Sequence, residues 1–213
     1  MTTTIDPAIV SDAPAPVALP NPLRGSPGLV GIPTVIAGAV GLGIINIGAL
    51  PEGAVAATIA IVMSCTTVGL LITTIWAAAL GLNAAASIYA VFFGFYSSYA
   101  ALALGLANDW FGASAQAAST VTAVWLICWL VTIVVLTAVT LRMPLAFTIL
   151  FGMVDVALAL LLVGTLSGEQ LATRVAGVIV FAFAALATYL YADAMSTETG
   201  GKPLPMGRPV LTG

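Results

Sequence analysis

The chain has 213 residues, of which 61% are hydrophobic and 6% charged, with five Lys and Arg, eight Asp and Glu, no His and a net charge of -3. A soluble domain carries roughly a quarter charged residues, so a water-facing enzyme and a disordered chain are both excluded, and so few basic residues leave no footprint for nucleic acid. With no His and two Cys, ligands for zinc or haem are scarce, so neither a metal nor a cofactor is expected; the composition is that of a polytopic membrane protein.

Residues 1–27 hold six Pro, with the run Asp12-Ala13-Pro14-Ala15-Pro16, and read as a disordered or polyproline tail. They lack the basic start and apolar stretch of a signal peptide. A bilayer-spanning helix needs about 20 apolar residues. Charge-free runs from Gly25 to Pro51, Gly53 to Asn108, Trp110 to Leu141 and Val175 to Ala192, and one from Met143 to Gly168 broken only by Asp155, supply that length. They predict six spans: Leu29–Leu50, Ala54–Leu80, Ala84–Leu106, Ala117–Leu141, Pro144–Leu166 and Ala172–Ala192. Turn chemistry at Pro51-Glu52-Gly53, Gly81-Leu82-Asn83, 108–112, Arg142-Met143 and 167–170 separates them. The runs are continuously apolar rather than alternating, which excludes a β-barrel. The expected fold is all-α, a six-helix membrane domain over residues 28–194 followed by a polar C-terminal tail over 195–213.

Six spans put both ends of the chain on one side. That side collects Arg24, Arg142, Lys202 and Arg208, against Arg174 alone opposite, beside Glu52, Asp109 and Glu169. The excess of basic residues predicts that both termini lie in the cytoplasm, and the plasma (inner) membrane is the expected location.

Helices in lipid associate through close backbone approach, which small residues permit. Gly38, Gly41 and Gly43 on the first span, Gly94, Ser97 and Ser98 on the third, and Ala176 and Gly177 on the last offer such surfaces within and between protomers. Cys65 and Cys128 fall mid-membrane on different spans and read as buried small hydrophobes rather than a disulfide. Trp76 and Trp110 fall near span ends and suit interfacial anchoring. Trp125 and Trp129 share one helix face, for packing or lipid contact.

Asp155 is the one acid inside a span, about 16 Å along the fifth helix from Pro144 at the standard rise. An ionised, unpaired carboxylate is untenable there. It is expected to be hydrogen-bonded while neutral, or reached by water, and to sit at a helix interface or the edge of a conduit. It is the proton or polar site to weigh. The second group is Tyr96, Ser97, Ser98 and Tyr99, four hydroxyls in succession on an otherwise apolar span. Tyr96 and Tyr99 are three apart and can donate to a small polar solute without fixed charge; interhelical hydrogen bonding is the competing use. Asn46 is a lesser polar candidate, and Thr66, Thr67, Thr73 and Thr74 can bond their own backbone. No Walker motif or repeated Arg is present, and no Lys or Arg lies mid-membrane. A solute must therefore be small, weakly held and passed along a narrow path.

The order of segments resembles the acetate uptake transporter family (the SatP/YaaH type), as a divergent member. Asn21-Pro22 and Gly28-Leu29-Val30-Gly31 are similar to its opening motif, and Phe93-Gly-Phe-Tyr96-Ser-Ser98-Tyr99 to its third-span segment. Thr140-Leu141-Arg142 and Gly164-Thr-Leu-Ser-Gly168 resemble the two ends of its fifth span. Ala176-Gly177, Tyr189-Leu190 and the run Gly201-Lys202-Pro203-Leu204-Pro205-Met206-Gly207 are the closest part. The resemblance implies a homo-hexamer of six-helix protomers in the bilayer, each with its own conduit for acetate and related monocarboxylates, sometimes succinate, and leaves open proton coupling or channel-like passage. It also implies a pore narrowed at Ile32, Tyr96 and Val154, to which the hydroxyl run adds Ser97 and Tyr99 as candidates beside the solute. Of the three narrowing positions, only the tyrosine keeps the family's residue type, and the family's charged stretch between the second and third spans is absent here.

The expected function is therefore a membrane transporter or channel for a small carboxylate, and not an enzyme. Two alternatives stay open: a channel for small neutral solutes such as urea, short amides or ammonia, and a non-conducting structural subunit. The topology is testable directly. A reporter fused after Gly213 should be active only in the cytoplasm and one inserted at Glu169 only outside; the reverse pattern contradicts the loop-charge argument.

Overall fold

The computed structural model describes residues 24–51 and 54–212; the Pro-rich stretch 1–23, with Asn21 and Pro22, and the turn residues Glu52 and Gly53 lie outside the described residues. Six helices long and apolar enough to cross a membrane follow one another: α1 (Gly28–Asn46), α2 (Val55–Ala79), α3 (Asn83–Ala107), α4 (Ala115–Thr140), α5 (Leu145–Ser167) and α6 (Gln170–Glu198). No strand occurs among the described residues. Two ends differ from the sequence expectation. α1 stops at Asn46 rather than Leu50, where Gly48 takes a left-handed turn at φ 73°. α6 runs on past Ala192 to Glu198, because a charge marks where a helix leaves lipid, not where its backbone hydrogen bonds end. Elsewhere the turn residues act as read. Gly81 and Gly168 close α2 and α5 at φ 73° and 74°, and Ser114 Oγ accepts from Ala117 N to cap α4.

α1 is held between α2 and α6, and α6 in turn packs on α5 and α5 on α4. Its seam with α2 pairs glycines with threonines. A Cβ on Gly38 would stand 2.6 Å from Thr66 Oγ1, and one on Gly41 2.8 Å from Thr58 Cγ2. Gly31 meets Thr73 in the same way, and Gly69 of α2 meets Thr34 of α1. Thr66 Oγ1 donates across the seam to the Thr34 carbonyl at 2.9 Å. α2 contains one π-helical turn, Val62–Thr66, and Thr67 Oγ1 donates to the Val62 carbonyl at 2.8 Å. Thr58 and Thr66, eight residues apart, would sit about 80° out of line on a regular helix. The extra residue of a π turn takes up part of that offset, and both threonines are buried against α1.

The outer faces of α2 and α4 are hydrocarbon. Ile75 is 62% exposed and Val135 63%. Hydroxyls on these faces are satisfied by their own helix, as Ser64 Oγ donates to the Ala60 carbonyl and Thr132 Oγ1 to the Cys128 carbonyl. Cys65 and Cys128 are free and face outward. This corrects the expectation of burial: lipid is as apolar as a protein core, so a small hydrophobe is equally at ease on either side.

The end of the bundle that carries residues 24–27, the α2–α3 and α4–α5 turns and the C-terminal tail is called the tail face below. The tail is docked there. Leu204 N donates to Asp193 Oδ1 at 2.6 Å and Tyr189 Oη to the Pro205 carbonyl at 2.8 Å. Ala146 N, in the first turn of α5, donates to the Met206 carbonyl at 3.0 Å, and Leu211 N to the Leu141 carbonyl at 2.9 Å. Met206 packs against the buried core. The tail thus satisfies one of the free N–H groups at the start of α5.

The seam makes a direct prediction. Gly38→Ala should lower stability by about 1–3 kcal/mol, the usual cost of overpacking, read as a fall in the thermal midpoint in detergent. Gly152 of α5 has nothing within 4 Å of an added Cβ, so Gly152→Ala should leave the midpoint unchanged or raise it.

Candidate functional site

Two cavities lie in line within the protomer, bounded by the same four helices, α1, α3, α5 and α6. The larger, about 440 Å³, reaches the tail face, where Leu82, Asn83 and Met143 form its rim. Deeper in, Ile32, Val35, Tyr89, Phe147 and Phe151 line it. The smaller, about 50 Å³, lies toward the opposite face, with Ala39, Leu42 and Asn46 of α1, Tyr96 of α3, Val154 of α5 and Val180 of α6 in its wall. That is room for a solute of a few heavy atoms. Phe92 and Phe183 belong to both linings. Their ring centroids are 6.2 Å apart, and Phe151 packs 5.5 Å from Phe92. These phenyl groups form a partition between a vestibule and an inner chamber.

One stripe of α1 lines both cavities. Ile32, Val35, Ala39, Leu42 and Asn46 recur at alternating steps of three and four, which is one helix face. The glycines of α1 lie beside this stripe: Gly41 faces α2, Gly31 and Gly38 face both α2 and the rings of Tyr89 and Tyr96 of α3, and Gly43 faces Phe181 of α6.

Tyr96 is 3% exposed, and its ring stands edge-on to Phe95 at 5.2 Å. Its hydroxyl has no hydrogen-bond partner among the described residues. The Asn46 amide has none either. These two are the only polar side chains in the chamber wall. An aromatic buttress fixes Phe95 from behind: Trp125 and Trp129 of α4 lie 5.1 and 5.7 Å from it, and both indole N–H groups donate to Ser98 Oγ, at 2.9 and 3.0 Å. Trp129 reaches α3 because Gly94 leaves space there.

The run of four hydroxyls is dispersed around α3, as side chains about 100° apart must be. Tyr96 faces the chamber. Ser97 donates to the Gly94 carbonyl, Ser98 accepts from the two tryptophans, and Tyr99 packs against Trp125. Ser97 and Tyr99 line neither cavity. Ile32 and Val154 do not meet in one neck, since Ile32 lines the vestibule and Val154 the chamber. The apolar narrowing between them is made by Phe92 and Phe183.

Asp155 lies at the α4–α5 seam and lines neither cavity. Thr137 Oγ1 is 2.7 Å from Asp155 Oδ2 and 2.9 Å from the Ile133 carbonyl, and a hydroxyl has one proton for two such acceptors. Asp155 Oδ1 is buried with no partner.

The family model described as GPR1/FUN34/yaaH matches residues 13–201. The chain belongs to that family. It is the family whose motifs were legible at the two ends of the sequence. Among solved structures, the fold is similar to that of the bacterial acetate channel SatP, with a TM-score of 0.76 at 19% identity, covering 86% of this chain and 99% of that chain. No curated protein sequence matches.

Asp155 yields a prediction distinct from the cavities. Thr137 retains a backbone acceptor without it, and an unpartnered buried acceptor costs about 1–3 kcal/mol. Asp155→Leu should therefore fold with a thermal midpoint no lower than that of the wild type, and conduct at its rate. Lost conduction in an intact assembly would place Asp155 in the transport path.

Proposed function

We propose that this protein is a channel or transporter for acetate and related small monocarboxylates, which cross each protomer through the vestibule, the phenyl partition and the inner chamber. The observation that carries this reading is the Tyr96 hydroxyl, which has no partner among the described residues, on a residue lining an apolar chamber of about 50 Å³. Such a chamber matches a solute with one methyl face and one polar face. A phenol and an amide hold a solute rather than transform it, so the reading is transport and not catalysis. The chamber's volume of about 50 Å³ favours an acetate-sized acid over succinate. Neither cavity is lined by Lys or Arg, so passage as the neutral acid, with its proton, avoids the cost of a desolvated anion. The family membership and the likeness to a bacterial acetate channel support the same assignment.

The protein belongs on this reading in the plasma (inner) membrane with both termini in the cytoplasm, so the vestibule opens inward. The assembly is a homo-hexamer whose contacts draw on the exposed faces of α2 and α4. A second reading, a channel for neutral solutes such as urea, is favoured by the same uncharged lining. Uptake of labelled acetate and labelled urea into vesicles separates the two. In the acetate reading, Tyr96→Phe should slow acetate flux about three- to tenfold, the worth of one hydrogen bond, and Tyr96→Ala should alter selectivity with the oligomer intact. Unchanged flux in both variants, or flux of urea alone, would refute it.

A further inference from the structure

The chamber wall is hydrocarbon except at Tyr96 and Asn46. Asn46 is the last residue of α1 and is partly buried. Its amide has no hydrogen-bond partner among the described residues. Behind it, α6 passes so closely that a Cβ on Gly177 would stand 3.0 Å from Asn46 Cβ. The backbone is thereby fixed and the amide is left at the chamber.

A carboxamide has one acceptor and two donor hydrogens. An undissociated carboxylic acid has the complementary pair. Its O–H donates to Asn46 Oδ1 and its carbonyl accepts from Asn46 Nδ2, while the Tyr96 hydroxyl donates to the same carbonyl. A carboxylate anion has no proton for Oδ1, and its charged oxygen then faces the partial negative charge of the amide oxygen in hydrocarbon. No other titratable group corrects this. α1 and α6 present none in the chamber wall, α3 presents only Tyr96, and Asp155 of α5 is turned to Thr137 across the α4 seam.

We infer that Asn46 is the specificity-determining residue of the conduit, pairing at two points with the undissociated carboxyl group and rejecting the anion. This rests on the acetate reading above and adds the residue that selects the neutral form. The same geometry makes acetamide a substrate, because its N–H group offers the same proton to Oδ1.

The test uses the full-length protein in vesicles, with protein-free vesicles subtracted, and follows labelled acetate and labelled acetamide. Wild-type acetate flux should rise about tenfold from pH 7 to pH 6, as the undissociated fraction of a carboxylic acid does in that range, while acetamide flux stays level. Asn46→Leu should lower both fluxes about tenfold, and Asn46→Gln, which keeps the amide, should restore most of the loss. Where the leucine variant does not assemble, Asn46→Ser removes the two-point pairing with a smaller change in polarity and should show the same joint loss. Acetate flux that is level with pH, or wild-type fluxes in the leucine or serine variant, would overturn the inference. A wild type that passes acetamide but no acetate at any pH is a different result, since it removes the acetate reading itself.

Discussion

The glycine–threonine seam between α1 and α2 is the contact on which the interior depends. In lipid there is no expulsion of water to draw helices together. The remaining attraction is dispersion, which weakens sharply with a gap of even half an ångström. Gly31, Gly38 and Gly41 remove that gap, and the Thr66 hydroxyl crosses it to a backbone carbonyl. With one face of α1 fixed on α2 and Gly43 set against Phe181 of α6, the remaining stripe has one orientation available. That stripe carries the side chains that line the vestibule and the chamber. The placement of the two cavities thus follows from where the glycines are.

The aromatic groups follow a similar logic from the other side. α4 touches α3 lightly, yet its two tryptophans converge on Ser98 and enclose Phe95. Tyr96 is the next residue along, and its ring stands on Phe95. Its hydroxyl, which has no partner among the described residues, is held at the chamber wall by apolar packing.

The number, order and approximate limits of the spans were legible because charge is excluded from hydrocarbon and Gly or Pro marks each turn. The family was legible at the chain's ends, where short polar motifs stand out against an apolar background. The lining was not. In a water-soluble protein the polar face of a helix tells outside from inside, but lipid and core are equally apolar, so Cys65 and Val135 on the surface look like Leu42 in the chamber. The run from Tyr96 to Tyr99 drew attention through its hydroxyls, although only one of the four reaches a cavity. Phe92 and Phe183 looked like ordinary packing, as did Trp125 and Trp129. The stripe from Ile32 to Asn46 was present at helical spacing, hidden among glycines that carry equal hydrophobic weight. Nothing in the tail's composition announced that Met206 would pack into the core or that its carbonyl would cap α5.

The partition between the cavities consists of side chains, with unfilled volume on either side of Phe92 and Phe183. A partition made of side chains differs in kind from one made of backbone, because its rings can turn while the helices that carry them stay in place. Rotamer changes are far faster than the microseconds to milliseconds of collective helix movement. A path opened by ring rotation alone would last only as long as those rotamers do.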